Sequence, residues 1–305
     1  MASYNVGGTT YLVTANEGDE KEYGAFTERV AVGAGAFGLD ATIFPNASVL
    51  KQNHNLGRFR ATNLNGNTDA DAEFETIHCV GTRSFSIFNT TTKQIVYDSG
   101  DDFERYTAAN LSALFNADHE NNTPKGRSRA KGPEPEGVTI AQIASETFAF
   151  VSLERVGGVM VYNITNPNTP VFVDYKNSRS TSAYSGDHGP EGITYIAPAN
   201  STTGKGYVLV ANEISGTITI YEVDENTLSN PDFDGEPKTF VIFPNPASNS
   251  QMVYFNRVAD IELYDITGKL ILSEKEALSI NTSKLQTGVY LVKTSEGITK
   301  KLVVK

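Results

Sequence analysis

Two stretches of this chain repeat one another, and that repeat narrows the fold more than any other feature. The first runs Gly132-Pro-Glu-Pro-Glu-Gly-Val-Thr-Ile140, Phe148-Ala-Phe-Val-Ser-Leu-Glu-Arg-Val-Gly-Gly158 and Val159-Met-Val-Tyr-Asn-Ile164. The second runs Gly189-Pro-Glu-Gly-Ile-Thr-Tyr195, Tyr207-Val-Leu-Val-Ala-Asn-Glu-Ile-Ser-Gly216 and Thr217-Ile-Thr-Ile-Tyr-Glu-Val223. Each reads as a Pro-Glu-Gly turn, a strand, a strand ending on Glu, a glycine turn and a further strand. A partial third copy, Tyr11-Leu-Val-Thr-Ala-Asn-Glu-Gly18, opens the chain. A divergent fourth is read in Gly81-Thr-Arg-Ser-Phe-Ser-Ile-Phe88 with Gln94-Ile-Val-Tyr97. The two full units lie about 55 residues apart, slightly beyond the roughly 40–50 of a propeller blade, with a loop inserted. The pattern predicts an all-β domain over residues 1–223, a partial β-propeller in which each unit is a small antiparallel sheet. A β-sandwich would share the short strands but not the recurring Pro-Glu-Gly and Glu. The partial copy that opens the chain lacks its Pro-Glu-Gly half, so the propeller is expected to be incomplete. Helix is scarce, with 108–115 the best candidate.

The final 66 residues have a different rhythm. Phe243-Pro-Asn-Pro-Ala247, Ile261-Glu-Leu-Tyr-Asp-Ile-Thr-Gly-Lys269, Leu285-Gln-Thr-Gly-Val-Tyr-Leu-Val-Lys293 and Lys300-Lys-Leu-Val-Val-Lys305 alternate β-branched and aromatic runs with turn residues. Gly268 and Gly288 stand where a turn calls for positive φ. This predicts a small Ig-like β-sandwich over 240–305, reached through a linker at 224–239. Charge supports the boundary: residues 1–239 carry 17 basic and 30 acidic side chains, whereas 240–305 carry 8 and 6.

The net charge of −11 argues against a nucleic-acid partner, which needs a basic face, and is compatible with cations. No run approaches the roughly 18 apolar residues of a membrane span. Cys79 is the single cysteine, which excludes an internal disulfide and cysteine-rich metal sites; Ile77-His-Cys-Val80 reads as a buried strand. Met1-Ala-Ser-Tyr4 has neither the basic nor the apolar region of a secretory signal, so the chain is expected to be part of a longer protein.

The repeated glutamates are the main candidates for chemistry. Glu17, Glu154 and Glu213 close strands, while Glu136 and Glu191 sit between Pro and Gly. Proline fixes φ and glycine permits a sharp reversal, so the turn aims its carboxylate in one direction. Repeated blade by blade, such turns converge carboxylates on a channel mouth. Ca2+ takes about 6–8 oxygen ligands, which these groups and turn carbonyls could supply. The competing reading is that each Glu accepts hydrogen bonds and locks its blade. A second candidate, Asn65-Gly-Asn-Thr-Asp-Ala-Asp-Ala-Glu73, alternates oxygen ligands at Asp69, Asp71 and Glu73 without the glycine and distal Glu of an EF-hand; a solvated turn is the alternative. Asp98-Ser-Gly-Asp-Asp-Phe-Glu104 reads as a turn held by Asp98. His188, in Gly186-Asp-His-Gly-Pro-Glu-Gly192, is the one histidine beside a repeated turn, placed as a general acid/base near a metal would be, or as an ordinary loop residue.

Two resemblances follow from these motifs. Residues 11–223, through Ala15-Asn-Glu-Gly-Asp19, Leu56-Gly-Arg58, Gly81–Phe88, Tyr97–Glu104, the two Pro-Glu-Gly runs, Leu153–Gly158 and Ala211–Gly216, resemble the choice-of-anchor I domain, similar to mesenchyme-specific cell-surface glycoproteins. Arg129-Ala130 depart from that pattern, which implies acidic residues there. Residues 240–305 resemble the C-terminal sorting domain of type IX secretion cargo, with Pro244, Asn245, Pro246, Gly268, Gly288, Tyr290, Lys300 and Lys301 as its signal positions. Together they imply a protein secreted by, or attached to the outer surface of, a Gram-negative bacterium, with the type IX translocon and sorting machinery as partners. The implied role is cation-dependent binding or structure. The alternative is a metal-dependent phosphoesterase, alkaline phosphatase or phytase-like, since some bacterial members carry a phosphatase label.

Overall fold

The computed structural model describes residues 1–69, 71–224, 228 and 240–305. It divides into two compact units, Met1–Gly235 and Glu236–Lys305. The linker expected over 224–239 lies, apart from Asp224 and Leu228, outside the described residues.

The first unit is built on three antiparallel sheets. The second and third are the two full repeats. Strands Pro135–Ile143, Glu146–Leu153, Val159–Asn163 and Val171–Lys176 form a four-stranded meander, and Pro190–Ile196, Gly206–Asn212 and Thr217–Val223 form a three-stranded one. In both, the Pro-Glu-Gly turn is a bulge in the opening strand: the register shifts between Pro135 and Val138, and again between Pro190 and Gly192. An extra residue in one strand bends it and re-aims a side chain, which is what the Glu between Pro and Gly undergoes.

The first sheet corrects the count of repeats. Ala2–Val6, Thr9–Ala15, Phe85–Asn89 and Gln94–Asp98 pair in that order, so the expected third and fourth copies are two halves of one sheet. The segment between Ala15 and Phe85 is an insertion with a small core of its own, including Val32, Phe37, Leu39, Ala61 and Phe74. Its two ends cross at Gly18 and Gly81. A Cβ on Gly81 would fall 1.9 Å from the Glu17 carbonyl oxygen, and one on Gly18 would fall 2.1 Å from the Gly81 nitrogen. Both glycines have positive φ.

Apolar faces pack the sheets together. Val13, Phe85 and Ile87 share a core with Val151, Met160, Tyr162 and Phe172, and Phe148, Phe150 and Val161 share another with Val208 and Val210. The helix begins earlier than expected, at Asp102–Asn110. Asp102 and Glu104 in its first turn suit the positive end of the helix dipole, and Phe103 anchors it in the core. Asp98 Oδ1 accepts the Gly100 amide at 2.8 Å, as the turn reading requires. Cys79 is exposed in a loop, because the Ile77–Val80 run forms no strand.

The second unit is one five-stranded antiparallel sheet. Met252–Asp265 runs through its middle, flanked on one side by Leu270–Asn281 and on the other by Ile242–Phe243 and Gly288–Thr294, with Thr299–Val304 outermost. Phe240, Val253, Ile261, Leu263, Val292 and Leu302 fill a separate core. Gly268 has φ +85° in a turn whose Asp265 Oδ1 accepts the Thr267 and Lys269 amides. Gly288 instead opens a strand without positive φ, so its expected turn role is corrected. No helix among the described residues is long and apolar enough to cross a membrane.

Candidate functional site

The repeat architecture carries six carboxylates to one end of the three sheets. Glu17, Glu154 and Glu213 each follow the second strand of their sheet, beyond Ala15, Leu153 and Asn212. Glu136 and Glu191 sit in the two bulges, and Gly137 lets the bulges touch: a Cβ there would fall 2.6 Å from the Glu191 carbonyl oxygen and 2.7 Å from Ser152 Oγ. The sixth, Glu134, is inside the motif but is not one of the residues the repeat singles out, since only the first unit has a second Glu.

Three of the six have basic side chains beside them. Glu134 is wholly buried; it accepts hydrogen bonds from Arg127 and, at 3.0 Å, from Arg155 Nε, and Lys131 Nζ lies 3.4 Å away. Burial alone would raise its pKa, but the two guanidiniums overcome that and hold it below the ordinary value. Glu17 accepts from Lys131 Nζ at 2.7 Å. Glu154 lies 3.2 Å from Arg155 Nη2 and 3.0 Å from His119 Nδ1. Burial, together with Glu134 and Glu136 nearby, nevertheless pushes Glu154 up to about 8, against the pull of Arg155. Glu134 and Glu154 also share a hydrogen bond, so one carries the negative charge and the other the proton. His119 is buried, and burial and Arg155 lower its pKa, which keeps the ring neutral.

The other three have no Lys or Arg partner among the described residues. Glu136 Oε2 is buried without a hydrogen-bond partner, and its pKa is pushed up to about 7 by burial and by Glu17, Glu191, Glu213 and Glu134. Glu191 is exposed and raised chiefly by the charge of Glu213. Ligand atoms of His119, Glu154 and Glu213 lie within 4.8 Å of one another, as do those of Glu17, Glu134 and Glu154. Glu154 joins the two groups. Lys131, Arg127, Arg155 and His119 gave no repeat signal, since they come from loops that follow no period.

His188 belongs to neither of these groups. Its Nδ1 is 3.0 Å from the Gly186 carbonyl, its ring packs 4.4 Å from Tyr184, and its buried Nε2 has no partner. Burial and Arg179 lower its pKa. Its neighbour Asp187 accepts from Ser178, Thr217 and Thr219, a network that ties the loop to the third sheet.

In the acidic loop, Asp71 is central. Its carboxylate comes within 4.8 Å of those of Asp40 and Glu73 on one hand and of Asp69 and Glu75 on the other. The same groups are hydrogen-bonded turn locks: Asp71 Oδ1 accepts the Glu73 amide at 2.6 Å, and Glu75 Oε2 accepts from Thr68. Asp40 and Glu75 escape the sequence pattern because one is remote and the other lies beyond the alternating run.

In the second unit, Asn245 ties the Pro-Asn-Pro segment to the last strand. Its Nδ2 donates to the Lys301 carbonyl at 2.6 Å and its Oδ1 accepts the Val303 amide at 2.9 Å. Pro244 and Pro246 flank it, Tyr290 is buried with its hydroxyl on the Gln286 carbonyl, and Lys301 is exposed beside the half-buried Lys300.

Comparison with known proteins agrees with this division. Residues 1–167 match the family described as the choice-of-anchor I domain, and residues 241–305 match the secretion system C-terminal sorting domain. Among curated proteins, Gigasin-3a of Magallana gigas is 26% identical over 213 residues, 65% of this chain and 70% of that protein. The mesenchyme-specific cell surface glycoprotein of Strongylocentrotus purpuratus is 23% identical over 252 residues, 72% of this chain but 30% of that protein.

Proposed function

From the premise that this chain belongs to the choice-of-anchor I family and ends in a type IX sorting domain, we propose that it is a surface-displayed, cation-dependent binding protein. The sorting domain assigns it to secretion or outer-surface attachment in a Gram-negative bacterium, through recognition by the type IX machinery. The display role draws support from the sea-urchin relative, whose name places it on a cell surface. The three sheets are read as blades of a partial β-propeller, with the opening strands of the second and third meeting at Gly137 and the carboxylates at the mouth; the tail is read as an Ig-like fold.

One observation carries the cation reading. Glu17, Glu134 and Glu154 each have a basic partner, whereas Glu136, Glu191 and Glu213 have no Lys or Arg partner among the described residues, and the charges of Glu191 and Glu213 help to raise the pKa of Glu136. Like charges held together need a proton or a cation, and Ca2+ is the hard, oxygen-seeking ion that suits carboxylates. The paired three are then the frame and the unpaired three the ligands. The Asp69, Asp71 and Glu73 loop, with Asp40, is a second calcium candidate. Phosphoester hydrolysis is the alternative function; the observation in its favour is His119 beside Glu154 and Glu213, a mixed nitrogen and oxygen set, rather than His188.

The test is thermal unfolding of the whole chain in calcium and in chelator, repeated on Glu136→Gln and Glu191→Gln. A ligand at about 100 times its Kd adds roughly 2.7 kcal/mol to the folded state. Calcium should raise the midpoint of the native chain, and both variants should lose most of that rise. An equal rise in native and variant proteins would remove these glutamates from the site.

A further inference from the structure

Among the described residues, the third sheet is open along one edge. The first and second sheets have four strands each, and the third has three among the described residues. The outer strands of the complete sheets are protected. Gln94–Asp98 carries a register shift between Ile95 and Tyr97, and Val171–Lys176 pairs through a shift at Val161/Tyr162 and bears the Asp174–Lys176 ion pair at 2.8 Å. Bulges and charges on an edge are the usual defences against pairing with another chain.

Thr217–Val223 has neither defence along most of its length. It pairs with Gly206–Asn212 over seven consecutive residues without a shift. Its one charge, Glu222, is neutralised by Lys205 at 2.6 Å. Tyr221 and Val223 pack into the core between the second and third sheets, while Ile218 and Ile220 are 68% and 61% exposed. Thr217 and Thr219 are held by Asp187, which fixes the strand and its facing.

The order Thr217-Ile-Thr-Ile-Tyr221 is close to a palindrome. Antiparallel pairing of two such strands about Thr219 sets Ile218 of each against Ile220 of the other, Thr219 against Thr219, and Thr217 against Tyr221. No charge meets a like charge in this register. We propose that the Thr217–Val223 edge pairs antiparallel with the same edge of a second copy of this chain, forming a two-fold dimer joined by a continuous six-stranded sheet. A two-fold contact must be self-complementary, and this strand is. Backbone hydrogen bonds supply the adhesion, and the two Ile218–Ile220 pairs set the register.

The experiment is sedimentation of the whole chain from roughly 1 to 100 μM, a range that brackets a modest two-strand contact. It is repeated on Ile218→Lys, on Ile220→Glu, and on an equimolar mixture of the two variants. The native chain should pass from monomer to dimer. Each variant alone should dimerise at least about tenfold more weakly, and the mixture should recover, because Lys at 218 then faces Glu at 220 across the axis while the second pair stays Ile–Ile. Both positions are exposed, so unfolding midpoints should match the native chain and separate loss of pairing from loss of fold. A native chain that stays monomeric throughout overturns the proposal. So does a dimer indifferent to both substitutions, or a mixture no tighter than its components.

Discussion

Glu154 is the side chain on which the carboxylate cluster turns, since it lies in both groups of close ligand atoms and is pushed up to about 8. Glu136, pushed up to about 7, behaves the same way. A carboxyl whose folded pKa exceeds its unfolded one takes up a proton on folding. Its favourable contribution is complete below the unfolded value near 4.5, declines as pH rises, and is gone above the folded value. In chelator the unfolding midpoint should therefore fall between about pH 5 and pH 8 and level off beyond, a trend opposite to that of salt-bridged carboxylates. Glu154→Gln keeps a donor for Glu134 and cannot ionise, so it should flatten much of the decline; an unchanged slope would place the proton elsewhere. Calcium competes with the proton on Glu136, so its stabilising effect should be larger at pH 8 than at pH 6. The recurrence of Glu after a strand made Glu17, Glu154 and Glu213 legible as equivalent positions. Glu134 and its partners were not, because Arg127, Lys131 and Arg155 reach it from chain positions with no period of their own. An ion-pair lock is a property of convergence, and a repeat reports only what recurs.

Among the elements, the Pro-Glu-Gly bulge was the most legible, since Pro and Gly each impose a backbone requirement that survives out of context. Gly137 shows the cost of that geometry. Its missing Cβ makes room for the Glu191 carbonyl, Ser152 Oγ and Ile193 Cγ2, all within 2.8 Å of where the atom would stand. Gly137→Ala must push the second and third sheets apart, and overpacking of this kind costs roughly 1–3 kcal/mol. At about 2–4 °C per kcal/mol for a unit of this size, differential scanning calorimetry would see the loss. Gly192→Ala is the internal control: a Cβ there meets only Ala211 Cβ at 3.4 Å, so its midpoint should move much less. The first sheet was harder to read. Its strands Thr9–Ala15 and Phe85–Asn89 are hydrogen-bonded neighbours, yet the insertion with its own core separates them in sequence. Spacing alone reads one sheet as two, and the helix at Asp102–Asn110 starts ahead of its best sequence candidate because its acidic first turn has the composition of a loop.

At the scale of the whole chain, the division was legible from charge and rhythm together, with an acidic body and a tail of slightly basic balance. The tail needs nothing from the body to account for its core, since Phe240, Ile261, Leu263, Val292, Leu302 and Val304 pack in one cluster drawn entirely from residues 240–304. Among the described residues, the body's cores likewise draw on none beyond 228. Two cores that share no side chain should unfold as separate cooperative units. Deleting residues 240–305 should then leave the body's unfolding midpoint within about 2 °C of its value in the whole chain, a shift of less than about 1 kcal/mol. Export is a different quantity. A domain read by secretion machinery acts through recognition, so its loss should abolish delivery without altering the fold of what it delivers. Expressed in its host, the truncated protein should accumulate inside the cell, folded and calcium-responsive, while the whole chain reaches the surface or the medium. Truncated protein found outside at the normal level would sever the tail from sorting, and a body that melts early without it would make the tail a structural partner instead.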